Sequence, residues 1–210
     1  MADYPTFTAD QEDDILAYFK ANGFAVIANS MTGDDVSYLN EFIDRSQGER
    51  PDEWGVDKRP LRDHGQILVD HPELDRYVQA YATFPLLTKI LGDGIRFAQF
   101  DFRHAVDGTG TDVGMGWHQD RSQMATDNWD ATHAYNCMYG CSIHYLTDVT
   151  DDTPCFAVVP DSLHCKSIEE AREKKGDDFQ ILPLRGPAGT GIIYNIATLH
   201  TRLAGTTDAG

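Results

Sequence analysis

The chain has 210 residues and a formal net charge of −17, with 17 Lys plus Arg against 34 Asp plus Glu. Hydrophobic residues make up 41% of the sequence and aromatic residues 10%, which is typical of a globular chain with a buried core and excludes a disordered one. The strong negative charge argues against nucleic acid and against an anionic membrane surface as partners.

The length predicts a single domain. Residues 1–14 are acidic and lack the apolar core of a signal peptide, and no apolar run approaches the length of a membrane span. The four cysteines form no Cys-x-x-Cys pair, which argues against a structural zinc site, and we expect Cys137 and Cys141 to be buried on one face of a strand. These features predict a cytoplasmic protein.

The first half of the chain favours helices. A capping-box pattern, Thr8 to Gln11, precedes apolar residues at helical spacing, and Gly23 provides a stop. Thr32 begins a second helix in the same way. The elements predicted here are helices from Thr8 and from Thr32, a short strand at 24–27, a loop at 46–66, and helical pieces at 74–81 and 85–91.

Strand patterns dominate from residue 95. Residues 95–106 alternate, with Gln99, Asp101 and Arg103 on one face and apolar residues on the other. This pattern suits either the wall of a polar cavity or a half-exposed antiparallel strand. Further strands are predicted at 113–120, 137–149, 155–160, 179–184 and 191–202, with a short helix from Ser167.

Helices followed by about seven strands predict a mainly β protein of the α+β type, an antiparallel sandwich or barrel with an N-terminal helical layer. We expect the helical layer, with its short strand, to span residues 1–94 and the β core to span residues 95–210.

One motif carries chemistry: Trp117-His118-Gln119-Asp120, followed far along the chain by His200. Alternate residues of a strand project to the same side, so His118 and Asp120 would face one way. Two imidazoles and one carboxylate are the ligands of non-heme Fe(II), which leaves the opposite face of the metal open. The alternative is an ordinary hydrogen bond between His118 and Asp120 at a strand end.

A second His-x-acid match, His71-Pro72-Glu73, serves as an internal comparison. Proline is excluded from central strands, so we interpret this match as a surface turn. The remaining histidines are expected to be structural or exposed, with His144 the strongest exception because it lies on a predicted core strand.

The order of these features resembles the phytanoyl-CoA dioxygenase-like family of Fe(II)/2-oxoglutarate-dependent oxygenases. The resemblance rests on residues 117–120, 153–164 and 189–200, and it departs from the family where Pro160-Asp161-Ser162-Leu163-His164 stands for Pro-Gly-Ser-His. It implies a double-stranded β-helix, a jelly-roll barrel, that holds Fe(II) through His118, Asp120 and His200.

The family's reaction uses O₂ and 2-oxoglutarate, gives succinate and CO₂, and hydroxylates a C–H bond of a small molecule. Halogenating relatives carry a small residue at the position of Asp120, so the carboxylate here implies hydroxylation. In the family an Arg on the strand after the last His binds the far carboxylate of 2-oxoglutarate. This sequence stops at Gly210, so we expect that the native chain extends further and that the last barrel strand is missing.

Within the chain, Arg202 is the best substitute for that Arg because it lies two residues after His200. Gln99 and Arg103 are further candidates for contacts with 2-oxoglutarate, and Trp129 is a candidate for the substrate entrance. Two other functions stay open: a metal-dependent cupin-like enzyme that does not use 2-oxoglutarate, and a non-catalytic binding module. The substrate's identity and the oligomeric state are not determined by the sequence.

Overall fold

The protein is described by a computed structural model that covers residues 4–56, 61–64, 67–105, 116–120 and 133–205. In these ranges the chain forms five α-helices, three short 3-10 helices and ten short strands. The α-helices are α1 Glu12–Asn22, α2 Gly33–Glu49, α3 Ile67–Asp70, α4 Phe84–Leu91 and α5 Ile168–Lys175. The 3-10 helices are Pro51–Glu53, Pro72–Tyr77 and Gly176–Asp178.

The strands belong to three sheets. They are β1 Thr6–Phe7, β2 Phe24–Ile27, β3 Gly55–Val56, β4 Leu61–His64, β5 Phe102–Ala105, β6 Gly140–His144, β7 Cys155–Val158, β8 Leu182–Leu184, β9 Gly191–Asn195 and β10 His200–Leu203. The first sheet has the order β1-β2-β9-β6, the second β10-β7-β8 and the third β3-β4-β5. All pairs are antiparallel except β1 with β2, which is parallel.

The two central strands of the first sheet, β2 and β9, are buried on both faces, which explains why they are apolar at every position but one. Ala25 and Ile27 face α1 and α4, in a core that includes Phe19. Val26 and Ile192 face the other way. Since side chains alternate along a strand, one sheet serves two cores.

The second sheet closes the core on that other face. Val158, Leu182 and Leu184 pack with Phe24 and Ile192 of the first sheet in one buried cluster. Two sheets packed face to face with helices on the outside give a mixed architecture of helices and antiparallel sheets, as the sequence predicted in coarse outline. No helix within the described ranges is both long enough and apolar enough to cross a membrane.

The two predicted N-terminal helices and the short strand between them are confirmed, but α1 begins at Glu12 without a side-chain cap instead of at Thr8, and the helical piece predicted at 74–81 is a 3-10 helix at Pro72–Tyr77. Helix α1 ends at Gly23, which adopts the left-handed conformation with φ of 81°. The hydroxyl of Thr32 accepts a hydrogen bond from the backbone N–H of Asp35 at 3.1 Å and so caps α2. Ser167 caps α5 in the same way through Glu170.

Other expectations differ from the structure. The loop predicted at 46–66 contains the end of α2, a 3-10 helix and the strands β3 and β4, so residues before 95 supply four strands rather than one. Of the strand predicted at 95–106, only β5 forms. The strand predicted at 191–202 is two strands, β9 and β10, in different sheets. Local periodicity does not report these long-range pairings, which decide strand formation.

His144, at the end of β6, joins three elements through its ring. The hydroxyl of Ser30 donates to the Gly189 carbonyl at 2.9 Å, so its oxygen accepts from Nδ1 of His144, also at 2.9 Å. The Thr83 hydroxyl lies 3.3 Å from Nε2. These partners select a neutral imidazole with its proton on Nδ1, and burial lowers the pKa of His144 from 6.5 to about 4.

We expect His144 to make the folded state sensitive to acid. The unfolded imidazole takes up a proton below pH 6.5, whereas the folded one does so only near pH 4, so its contribution is complete above pH 6.5 and is lost as the pH falls toward 4. The change amounts to up to about 3 kcal/mol. Urea unfolding of the wild type and His144→Gln between pH 7 and 4 measures it. Parallel free-energy curves for the two proteins would contradict it.

Candidate metal centre

A tight turn brings the chain from the first sheet to the second just before His200. The side chain of Asn195 accepts from the N–H of Ala197 at 3.0 Å, and its carbonyl accepts from the N–H of Thr198 at 2.9 Å. Asn side chains favour such turns because they replace a backbone partner locally. The turn ends β9, although the β-branched residues within 191–202 favoured one continuous strand.

The backbone of β10 then holds the His118 segment beside it. The N–H of His118 donates to the His200 carbonyl at 3.0 Å, and the N–H of His200 donates to the His118 carbonyl at 2.9 Å. The N–H of Asp120 donates to the Ile196 carbonyl at 3.0 Å. The two halves of the predicted motif are therefore fixed to each other by the main chain.

The three predicted ligand side chains converge. Nε2 of His118 lies 3.5 Å from Oδ1 of Asp120, and Nε2 of His200 lies 3.3 Å from Oδ2. One atom from each residue lies within 4.8 Å of the others. Neighbouring ligands around one first-row metal ion stand about 3 Å apart when each is ~2.1 Å from the metal. The spacing accommodates a single divalent ion.

The imidazoles are oriented for metal binding. Nδ1 of His118 lies 2.7 Å from the Gly116 carbonyl, and Nδ1 of His200 lies 2.8 Å from the Thr198 carbonyl. A carbonyl only accepts, so each Nδ1 carries the proton and each Nε2 presents a lone pair to the centre. Metal-bound histidines are typically held this way by a backbone carbonyl. The donor set therefore fits a divalent cation.

Asp120 stays ionised in this setting. Burial alone would raise its pKa, but hydrogen bonds and positive charge from His118 and His200 in their protonated form outweigh burial and hold the pKa of Asp120 below its usual range. The Tyr194 hydroxyl also donates to Oδ2 of Asp120 at 3.3 Å. Burial raises the pKa of Tyr194, and the nearby Cys141 and Asp120 add to that rise, so the phenol keeps its proton.

Sequence reasoning missed Tyr194, which it treated as an unremarked strand residue. Its period-two position, on the same face of β9 as Ile192, was the available signal, but a tyrosine at such a site is as consistent with core packing. Phe156 is a second omission. Its ring centroid lies 5.3 Å from that of His200, and the ring centroid of Tyr194 lies 5.1 Å from that of His200.

The site is closed on one side and open on the other. The side chain of His200 is 4% exposed, whereas that of Asp120 is 47% exposed. The aromatic rings of Phe156 and Tyr194 shield His200 from solvent, and the Asp120 carboxylate faces the accessible side. This asymmetry suits a centre that keeps protein ligands on one face and receives small molecules on the other.

Comparison with sequence families gives a match over most of the chain. The family described as Phytanoyl-CoA dioxygenase (PhyH) matches residues 19–209. The chain belongs to this family. No curated protein sequence matches the chain.

Solved structures share the PhyH fold of this chain. The non-heme alpha ketoglutarate dependent carbocyclase SnoK from nogalamycin biosynthesis has a TM-score of 0.74 at 16% identity, covering 98% of this chain and 83% of SnoK. HygX from Streptomyces hygroscopicus, solved with nickel and 2-oxoglutarate, has a TM-score of 0.73 at 16% identity, covering 97% and 83%. The epimerase SnoN has a TM-score of 0.68 at 15% identity, covering 95% and 78%.

In this PhyH chain, Gln99 and Arg103, which were predicted to contact 2-oxoglutarate, both contact the carboxylate of Asp101. Nε2 of Gln99 donates to Oδ2 of Asp101 at 2.8 Å, and Nε of Arg103 lies 3.3 Å from the same oxygen. Burial acts to lower the pKa of Arg103, but Asp101, with smaller contributions from Tyr194 and Asp120, raises it overall. Arg103 is therefore close enough to Asp120 for their charges to interact.

The other predicted residues are placed differently. Arg202 pairs with Phe156 across β10 and β7, two positions after His200 on the same strand, and its Nε is shielded from solvent. Gln119 points away from the cluster and donates to the carbonyls of Leu163 and Ala197. Trp129 lies outside the described residues.

Proposed function

We propose that the protein is an Fe(II)- and 2-oxoglutarate-dependent oxygenase that hydroxylates a C–H bond of a small molecule. One observation carries the proposal: the Nε2 atoms of His118 and His200 and the carboxylate of Asp120 meet at spacings of 3.3 and 3.5 Å, with each imidazole proton directed to a carbonyl. Membership of the PhyH family supports it.

The metal and its cosubstrate would supply activation of O₂, with 2-oxoglutarate converted to succinate and CO₂. The chain's own residues supply geometry and charge. His118, Asp120 and His200 would hold one face of Fe(II) and leave the other face free. Tyr194 fixes the orientation of Asp120 through its hydrogen bond, and Phe156 keeps water from the His200 side.

An anionic cosubstrate needs a cation in a protein with a net charge of −17. We assign this role to Arg202, because its position two residues after His200 on β10 puts both side chains on one face of the strand. A guanidinium matches a carboxylate with two parallel hydrogen bonds. Arg103 and Gln99 are proposed as further contacts with 2-oxoglutarate, and Trp129 as a substrate contact.

The fold supports the same proposal. The first and second sheets enclose a shared core, and the cluster lies at the start of β10, a position that suits the open end of a jelly-roll barrel. We therefore propose one oxygenase domain over residues 1–210 with a double-stranded β-helix at its centre.

Hydroxylation is the outcome we favour. Structural neighbours include a carbocyclase and an epimerase, whose activities belong to those proteins, and each oxidative outcome begins from a C–H bond placed next to the metal. The Asp120 carboxylate fills the position that chloride requires in halogenating relatives. HygX and SnoN have been solved with hygromycin B and nogalamycin RO, which supports a small organic molecule as the substrate.

The test is spectroscopic. Fe(II) and 2-oxoglutarate added anaerobically should give a visible metal-to-ligand charge-transfer band, and O₂ should then release succinate and bleach the band. A band without succinate would favour a cupin-like enzyme that does not oxidise 2-oxoglutarate. Failure to take up Fe(II) would leave the non-catalytic binding module as the better explanation.

A further inference from the structure

A second group of metal-type ligands lies outside the candidate centre. Glu53 ends the first 3-10 helix, His64 ends β4, and His71 precedes the second 3-10 helix. One ligand atom from each lies within 4.8 Å of the others. Nε2 of His64 is 3.4 Å and Nε2 of His71 is 3.7 Å from Oε2 of Glu53. The group, which we call the Glu53 cluster, shares no residue with the first.

The Glu53 cluster is largely buried, although Pro72 and Glu73 lie on an exposed 3-10 turn, as expected from the sequence. The side chain of His64 is 3% exposed and that of His71 is 15% exposed. The edge of the His71 ring packs on Phe42 with centroids 4.8 Å apart, and His64 packs on Trp54 with centroids 5.7 Å apart. Sequence reasoning missed the group because its members come from three separate elements.

His71 is oriented as a ligand. Its Nδ1 lies 3.4 Å from Oε1 of Glu73, and a carboxylate only accepts, so Nδ1 carries the proton. In the neutral ring Nε2 then presents a lone pair, and this atom is buried without a hydrogen-bond partner in the part of the chain described. A carboxylate behind a histidine is a common arrangement at zinc sites.

Glu53 presents its second oxygen to both rings. Oε1 pairs with the guanidinium of Arg50 at 2.8 Å, which leaves Oε2 facing His64 and His71. A lone pair on an imidazole and a carboxylate oxygen repel each other unless a proton or a cation lies between them. Of the two distances to Oε2, the 3.4 Å from Nε2 of His64 is a long hydrogen bond, and the 3.7 Å from Nε2 of His71 lies beyond hydrogen-bond range. Both distances are close to the ~3.3 Å that separates two tetrahedral zinc ligands.

We infer that the Glu53 cluster is a Zn²⁺ site. Two imidazoles and one carboxylate supply three of the four ligands that zinc takes. Asp70 is a candidate for the fourth ligand, since its Oδ2 is 4.0 Å from Nε2 of His64. Zn²⁺ would stabilise the segment by tying the first 3-10 helix to β4 and to the start of the second 3-10 helix. β4 pairs with β5, which carries Arg103.

The inference does not depend on the proposed function, and its test removes the first centre. In a His118→Ala/Asp120→Ala background, protein freed of metal and equilibrated with Zn²⁺ should retain one equivalent by mass spectrometry. Adding Glu53→Gln or His71→Gln should weaken zinc binding by more than ~100-fold, and Glu73→Gln by ~10-fold or more, since it supports a ligand. His104→Gln is the matched control, a half-buried histidine of β5 that contacts Gln47 instead, and it should leave binding unchanged.

A second measurement needs no substitution in the Glu53 cluster. Zinc X-ray absorption on the background variant should detect two imidazole ligands and at least one oxygen ligand, and Co²⁺ in place of zinc should absorb strongly in the visible, as four-coordinate cobalt does. The inference is overturned if the background variant retains no zinc, if its zinc has no imidazole ligand, or if folded Glu53→Gln and His71→Gln variants bind zinc as tightly as their parent.

Discussion

Replacing His200 with Ala is expected to eliminate Fe(II)-dependent turnover of 2-oxoglutarate. Even a residue that only supports a metal ligand changes metal affinity or activity by 10–100-fold, so loss of a direct ligand should exceed ~100-fold. The remaining pair, His118 and Asp120, cannot hold one full face of the ion. The measurements are Fe(II) affinity, the anaerobic charge-transfer band and succinate release.

Controls separate loss of the metal from loss of the fold. His200→Gln keeps more of the side-chain volume between Phe156 and Tyr194 and should fail in the same assays while unfolding at nearly the wild-type temperature. His164→Ala removes an exposed imidazole that lies in neither cluster, and it should bind Fe(II) like the wild type. Normal iron binding by folded His200→Gln would refute the proposed ligand set.

Gly23→Ala is expected to have the largest effect on stability. Gly23 has φ of +81°, and a Cβ there would lie 2.2 Å from Oγ1 of the fully buried Thr198. The left-handed conformation costs a non-glycine residue about 1–2 kcal/mol, and overpacking a rigid site adds about 1–3 kcal/mol. We therefore expect urea unfolding to show a loss of about 2–5 kcal/mol.

The same substitution should also lower Fe(II) affinity at the candidate metal centre. The Gly23 carbonyl accepts hydrogen bonds from the N–H of Asn195 at 2.8 Å and from the Thr198 hydroxyl at 3.1 Å. The Thr198 carbonyl in turn lies 2.8 Å from Nδ1 of His200. A shift of Thr198 away from a new methyl group therefore disturbs the orientation of an imidazole, and Fe(II) affinity should fall together with stability.

A double-mutant cycle divides the two costs of Gly23→Ala. In a Thr198→Ala background the clash with Oγ1 is absent, so Gly23→Ala should cost only the ~1–2 kcal/mol of the left-handed conformation. Gly48→Ala is the matched control. Gly48 lies on the exposed side of α2 with nothing within 4 Å of a new Cβ, so alanine should be neutral or stabilise by up to ~1 kcal/mol. An equal cost of Gly23→Ala in both backgrounds would refute the clash.

The candidate metal centre shows which features can be predicted from local sequence patterns. Period-two spacing placed His118 and Asp120 on one side, and the structure brings them together with His200. That result did not require the predicted strands to be right. The His118 segment makes only an isolated bridge to His200, and the predicted strand at 191–202 is divided by the turn at Asn195. The spacing sufficed because backbone hydrogen bonds fix the short segment to His200 and Ile196.

By itself, the sequence determined the features that depend on neighbours a few residues away: the helices α1 and α2, the cap of α2 at Thr32, the stop at Gly23, and the spacing of the first two candidate ligands. Only the tertiary structure decided that β9 and β10 belong to different sheets, that Tyr194 donates to Asp120, and that Glu53, His64 and His71 meet. Each of these contacts joins residues far apart in the chain. Their formation depends on how sheets and helices pack, because burial and long-range hydrogen bonding outweigh local propensity.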